Sequence, residues 1–298
     1  MIKRTLFFGN PTYLSTKNQQ LVICYPGEEK PVKTIPIEDI GIVVIEHPQI
    51  NITNGLLSKL IKNKAAVISC DEFHLPVSLQ QPLVGHSEQT ERMKYQLNAS
   101  LPLKKNLWQQ TISAKILNQA NFLVKKHIPA RKLFKWVTEV KSGDIENHES
   151  RAAVYYWKHI FGIDGFIRYA QGEPPNNLLN YGYAILRAIT ARALTGSGML
   201  PAIGIFHRNK YNAFCLADDI MEPYRIYVDV LVDNILQSGN PYHELDTSLK
   251  TQLLKLPVTD VVIDGKKSLL MVAMSRTTNS LYDCFTGVSR KLLYPIFE

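Results

Sequence analysis

At 298 residues the chain is long enough for two modest domains, each able to bury a core without disulfide or metal staples. Hydrophobic residues make up 45% and charged residues 20%, with no low-complexity tract or fixed-period repeat, which excludes a disordered or fibrous chain. Lysine and arginine outnumber aspartate and glutamate 34 to 26, and the +8 charge favours a polyanionic partner without identifying one.

From Ile2 to about Leu79 the chain reads as short β segments, RTLFFG, TYLST, QLVICY, PVKTIP and IGIVVIE, separated by Asn-Pro, Pro-Gly and charged breaks. One helix interrupts them between Ile52 and Asn63, where Leu56, Leu57, Leu60 and Ile61 recur at helical spacing, before AAVISC returns to strand character. Residues 80–87, QQPLVGHS, read as a linker. Beyond it the period changes, and segments near 88–99, 102–127, 130–142, 145–170, 175–195, 212–238, 246–255 and 266–294 carry apolar residues three and four apart. The expected fold is α+β: a small N-terminal β-rich domain over 1–79, then a larger all-α helical domain over 88–298.

Cys24, Cys70, Cys215 and Cys284 form no CxxC pair, so neither a zinc ribbon nor a disulfide framework is expected, and a reducing cytoplasm fits. MIKRTLFFGN has no sustained apolar run or small-residue cleavage site, and no stretch of about 18 apolar residues occurs, so neither export nor membrane insertion is expected.

Two places put carboxylates where a core is expected. In DIENHESRAAVYYWKHIFG, Glu149 shares a helical stripe with Ala153, Tyr156 and Ile160. An inward carboxylate there needs a cation, but Glu149 also suits a first turn behind an Asp144 cap, and both readings stay open. In CLADDIMEPYRIYVDVLVDNIL, Asp219 and Glu222 stand three apart on a stripe with Cys215, Ile226 and Val230, so a cation between them would relieve their repulsion. Asp218 could replace Asp219 if the helix is rotated, and Pro223 should kink the helix or lie near its start. Just upstream, His207 lies in a loop between Phe206 and Arg208, with Lys210 close by. An imidazole near two or three carboxylates suits Mn²⁺ or Mg²⁺ better than structural zinc.

In NNLLNYGYAILRAITARAL, Gly182 and the alanines at 184, 188, 191 and 193 leave room for a second helix to approach, while Asn177 and Tyr181 either face a ligand or cap and pack. Basic candidates for DNA phosphates are Arg208 and Lys210, beside the candidate site, and sequence-local pairs such as Lys104 with Lys105, Lys125 with Lys126, and Arg290 with Lys291.

The succession of HES, PPNNLLNYGYAILRA, GIFHRNKYNAFCLADDIMEPYR and the basic tail resembles the universal integrase of CRISPR spacer acquisition, in the short form found beside type II systems. The resemblance spans essentially the whole chain. It implies a metal-dependent DNA endonuclease/integrase whose Mg²⁺ or Mn²⁺ is held by Glu149, His207 and Glu222, with Asp219 a secondary acidic candidate; given that activity, Asn177 and Tyr181 join Arg208 and Lys210 as candidate DNA contacts. Some family members carry aspartate where Glu222 stands, so the longer arm bears on metal position and preference. It further implies double-stranded DNA, both captured fragment and repeat, as substrate, a homodimer joined through the β domains, and a small partner adaptation protein in a 4:2 complex. A structure-specific metal-dependent nuclease and a non-catalytic DNA-binding scaffold are the alternatives.

Overall fold

The computed structural model describes residues 3–27 and 33–298. Pro31 and Val32 of the expected PVKTIP strand, and Ile2, lie outside the described residues. The chain divides into two compact units, one ending at Gly85 and the other spanning His86–Glu298.

In the first unit, strands β1 (Arg4–Phe8), β2 (Tyr13–Lys17), β3 (Gln20–Cys24), β4 (Lys33–Pro36), β5 (Ile40–Ile45), β6 (Asn51–Ile52), β7 (Ala66–Cys70) and β8 (Pro76–Gln80) form two four-stranded sheets. One runs β1-β5-β7-β8, parallel except for β8, and the other runs β4-β3-β2-β6. Strand β5 reads IGIVVI because it pairs on both sides and is buried along most of its length, as central parallel strands are. Helix α1 (Asn54–Lys62) starts where the Thr53 hydroxyl accepts the Leu56 N–H, and it sends Leu56 and Leu60 into a core with Leu14, Leu21, Ile40 and Val43.

The second unit is mostly helical: α2 (Gln89–Asn98), α3 (Leu101–Lys125), α4 (Arg131–Glu139), α5 (His148–His159), α6 (Asn176–Gly196), α7 (Cys215–Met221), α8 (Arg225–Gln237), α9 (Thr247–Leu253) and α10 (Leu270–Thr286). The β-rich front and helical rear agree with the α+β expectation. The all-α description of the rear does not hold, because β9 (Asp260–Ile263), β10 (Lys266–Leu269) and β11 (Pro295–Ile296) form a small sheet in the order β10-β9-β11. Asp264 and Gly265, at φ 54° and 67°, make the tight turn that joins β9 to β10, so residues 266–269 are strand where helix was expected.

Two further expected helices are shorter than their periodicity. Gly162 and Gly165 take positive φ just past α5, so 160–170 leaves the helical path. The 212–238 segment breaks at Pro223: α7 ends at Met221, a 3-10 turn carries Glu222–Tyr224, and α8 begins at Arg225.

Helix α3 is the element against which the site is built. Ser100 accepts the Leu103 N–H at its start, and its buried residues alternate apolar and polar, with Trp108, Ile112, Ile116 and Phe122 beside Thr111, Asn118 and Gln119. The Asn118 amide donates to the carbonyls of Pro223 and Pro295, tying the 3-10 turn and β11 to α3. No helix among the described residues is long and apolar enough to cross a membrane.

Candidate active site

Glu149 lies in the first turn of α5, where the Asp144 carboxylate accepts the N–H groups of His148 and Glu149, each at 2.9 Å. The two sequence readings are therefore both present. The Asp144 carboxylate satisfies the orphan donors of the helix start, and the Glu149 side chain turns inward to the Lys115 ammonium of α3, 2.7 Å away.

Glu222 reaches the same ammonium from the 3-10 turn, its Oε2 2.6 Å from Lys115 Nζ, while Arg225 Nε donates to its Oε1 at 2.9 Å. Its Oε2 is buried and makes no hydrogen bond of good geometry, so the contact with Lys115 is an ion pair only. Burial acts against the charged form of Glu222, but Arg225 and Lys115 together hold its carboxyl down at about 2. Burial also works against the Lys115 ammonium, and Glu222 and Glu149 more than offset it, so its pKa is raised.

His207 sits in the loop between α6 and α7, its side chain 42% exposed. Asp219, fully buried on α7, holds that loop: its Oδ2 accepts the N–H groups of Ile205 and Phe206, and its Oδ1 accepts the His207 N–H. The same Oδ1 meets His207 Nδ1 at 2.5 Å. That hydrogen bond raises the His207 pKa against the effect of burial, and the charges of Asp219, Glu222 and Glu149 act in the same direction. Trp108 of α3 stacks face to face on Phe206, centroids 4.2 Å apart, and meets His207 edge-on.

The fold thus joins Glu149 and Glu222 through one ammonium and places His207 in their field. Among the described residues no group of three or more His, Cys, Asp or Glu side chains closes as a ready metal cage. The expectation that Asp219 and Glu222 point one way is corrected. Helix α7 stops between them, so Asp219 faces the His207 loop and Glu222 faces α3. Asp219 is an orienting partner of His207, since its oxygens are spent on the imidazole and three backbone donors. Asp218 does not replace it, being clamped by Arg187 and the Asn212 amide.

The proposed DNA role of Tyr181 is also corrected: the residue is fully buried in the helical core. Asn177 is half-buried, and its amide donates to the carbonyls of Tyr242 and His243, tying the start of α6 to the chain before α9. Arg208 and Lys210 are exposed beside His207, with the Lys210 ammonium over the Tyr211 ring. Sequence reasoning passed over Lys115 and Arg225. The signal for Lys115 was available, a lysine directly beside the buried Ile116 in a helix whose other buried positions also include polar residues.

A family model described as CRISPR associated protein Cas1 matches residues 6–245. The CRISPR-associated endonuclease Cas1 of Neisseria meningitidis serogroup C (strain 8013) is 38% identical over 98% of this chain and 95% of its own length. The chain belongs to the Cas1 family. Among solved structures, a casposase bound to integration product superposes with a TM-score of 0.77 at 20% identity, over 98% of this chain and 92% of the casposase chain. A Cas6-RT-Cas1–Cas2 complex gives 0.72 at 19% identity, over 97% of this chain and 35% of the larger one. These two likenesses carry the fold; Cas1 membership rests on the family model and the Neisseria relative.

Proposed function

We propose that this Cas1 chain is a DNA endonuclease/integrase of CRISPR spacer acquisition that inserts captured fragments into the repeat array, with Glu149, His207 and Glu222 holding a divalent ion. The observation that carries the reading is the buried convergence of Glu149 and Glu222 on one cation, beside an imidazole oriented by Asp219. The donor types fit such an ion once the Lys115 ammonium between the two carboxylates gives way. Two carboxylates and an imidazole form the mixed oxygen and nitrogen donor set that suits Mg²⁺ or Mn²⁺, and Glu222 Oε2 is a buried oxygen whose partner is the Lys115 ammonium, a cation in the place of the ion. With Nδ1 engaged by Asp219, His207 keeps Nε2 for coordination, the usual arrangement of a ligating histidine held by a carboxylate.

When bound, the ion would polarise the phosphoryl oxygen under attack and stabilise the departing 3′ oxygen. The reaction is a transesterification: the fragment's 3′-hydroxyl oxygen bonds to phosphorus at the repeat end, the existing P–O3′ bond breaks, and the proton ends on the released 3′ oxygen. No protein nucleophile is needed, because the fragment supplies the attacking hydroxyl. Asp219 holds His207 in place, Arg225 fixes one Glu222 oxygen, and Arg208 and Lys210 are placed at the surface to neutralise DNA phosphates.

Double-stranded DNA and a Cas2-type partner are the binding partners in this reading, in keeping with the casposase and Cas1–Cas2 likenesses. A homodimer through the β-rich unit and a 4:2 complex complete the proposed assembly. Hydrolysis is the second reading, since the Neisseria relative is named an endonuclease and water can replace the DNA hydroxyl.

The test compares a 3′-hydroxyl fragment with a 3′-blocked one in a joining assay with a repeat-containing plasmid, the partner protein and Mn²⁺ or Mg²⁺. Joined product is expected only from the free hydroxyl, and none from a folded Glu149→Ala variant. Equal cleavage with both fragments and no joined product would establish hydrolysis instead, and full joining by Glu149→Ala would refute the site.

A further inference from the structure

Lys115 occupies the space between the two carboxylates that the metal reading assigns to an ion, with Glu149 Oε1 2.7 Å and Glu222 Oε2 2.6 Å from its ammonium. Its side chain is only 12% exposed. A buried ammonium with two carboxylate partners is electrostatically complete, so a divalent ion cannot join it there without strong like-charge repulsion. If Glu149 and Glu222 bind a metal, Lys115 must leave. The structure supplies a place for it to go.

A cavity of about 220 Å³ opens beside the site, lined among others by Lys115, Gln119, Glu222, Arg225 and Asp229. Gln119 stands one helical turn after Lys115 on α3, so both side chains project from the same face. Its Oε1 is buried without a hydrogen-bond partner among the described residues. An unpartnered buried acceptor is costly, and a lysine stem is long and flexible enough to carry its ammonium one turn along the helix. Arg225 is the other cation on Glu222, and it is held on the opposite oxygen, Oε1, so it need not move.

We propose that Lys115 is a positioning residue with two stations: it bridges Glu149 and Glu222 in the metal-free protein, and withdraws into the cavity toward Gln119 Oε1 when the divalent ion enters. This rests on the metal reading above. The ammonium keeps the two carboxylates from repelling each other apart before metal arrives. It also sets a threshold for entry, because a monovalent ion brings no more charge than the ammonium it would replace, whereas a divalent ion does.

Mn²⁺ binding, read by loss of the free-ion electron paramagnetic resonance signal, tests this without any activity measurement. Wild type, Lys115→Met, Gln119→Met and the double variant are titrated alongside thermal melts with and without metal. Removing the competing ammonium should tighten Mn²⁺ binding about tenfold, as expected when a site blocked most of the time becomes fully available. The metal-free Lys115→Met protein should melt below wild type and gain a larger upward shift on adding Mn²⁺. Gln119→Met should weaken Mn²⁺ binding when Lys115 is present and leave it unchanged in the Lys115→Met background.

Equal or weaker Mn²⁺ affinity in a folded Lys115→Met variant overturns the competition, while the metal reading stands on wild-type binding. Equal effects of Gln119→Met in both backgrounds overturn the second station. Should Lys115→Met fail to fold, Gln119→Met alone decides, an unchanged affinity refuting the withdrawal. Wild-type protein that takes up no Mn²⁺ rejects the metal reading itself.

Discussion

Individual residues of the His207 loop are held with little freedom. A Cβ placed on Gly204 would lie 2.4 Å from the His207 carbonyl oxygen and 2.7 Å from Asp219 Oδ2, so the loop can close over that carboxylate only where no side chain intervenes. Gly204→Ala should cost about 1–3 kcal/mol of stability and weaken Mn²⁺ binding by displacing His207. Chemical denaturation and the metal titration check both, and an alanine variant indistinguishable from wild type in each would show that the loop can relax. Asp229, deeper in the same unit, accepts hydrogen bonds from the hydroxyls of Tyr156 and Tyr183. Burial pushes its carboxyl up to about 6 from its ordinary 3.8, against the pull of those hydroxyls and of Arg225 and Arg168. The folded chain therefore holds this proton more tightly than the unfolded one. The resulting stabilisation is fully present below pH 3.8 and is lost as the pH rises through about 6. Wild type should gain on Asp229→Asn by about 2 kcal/mol between pH 7 and pH 4 in urea unfolding, and parallel pH profiles for the two proteins would refute the assignment.

At the level of elements, the site depends on where helices stop. The run from Cys215 to Gln237 has helical periodicity throughout, yet Pro223 cannot donate to a preceding carbonyl, and the chain changes course at Glu222. That break turns Asp219 and Glu222 toward different partners, although three residues separate them. Periodicity assumed one continuous helix and so placed both on one stripe. The close approach expected at Gly182 is present, with α8 running against α6 so tightly that a Cβ there would lie 2.4 Å from Val228 Cγ1. Because valine is stiff about its first torsion, Gly182→Ala should destabilise by about 1–3 kcal/mol, and Val228→Ala should restore much of the loss. Thermal melts of both single variants and the pair provide the comparison; strictly additive losses would mean that the two side chains do not meet. The strand pair β9-β10 was legible and overlooked, since Asp264-Gly265 between two apolar stretches is a hairpin signal.

Over the whole molecule, 34 basic against 26 acidic residues favour a polyanion, and Cas1 membership makes DNA that polyanion in the proposed function. Duplex binding should weaken with salt, the slope of log affinity on log salt being close to −0.9 for each phosphate neutralised. Removing Arg208 or Lys210 should each flatten that slope by about one if they contact phosphates, and an unaltered slope would remove them from the interface.

The sequence by itself determined the order of a β-rich front and a helical rear, the family, and the identities of Glu149, His207 and Glu222 as candidates, because periodicity and motif are properties of local spacing. Tertiary structure alone decided which atoms meet. It set Lys115 between two carboxylates that lie 34 and 107 positions away along the chain, turned Asp219 onto His207, and buried Tyr181. Such pairings depend on how α3, α5 and the turn at Pro223 pack, and no local repeat encodes the direction in which a side chain finds a partner from another helix.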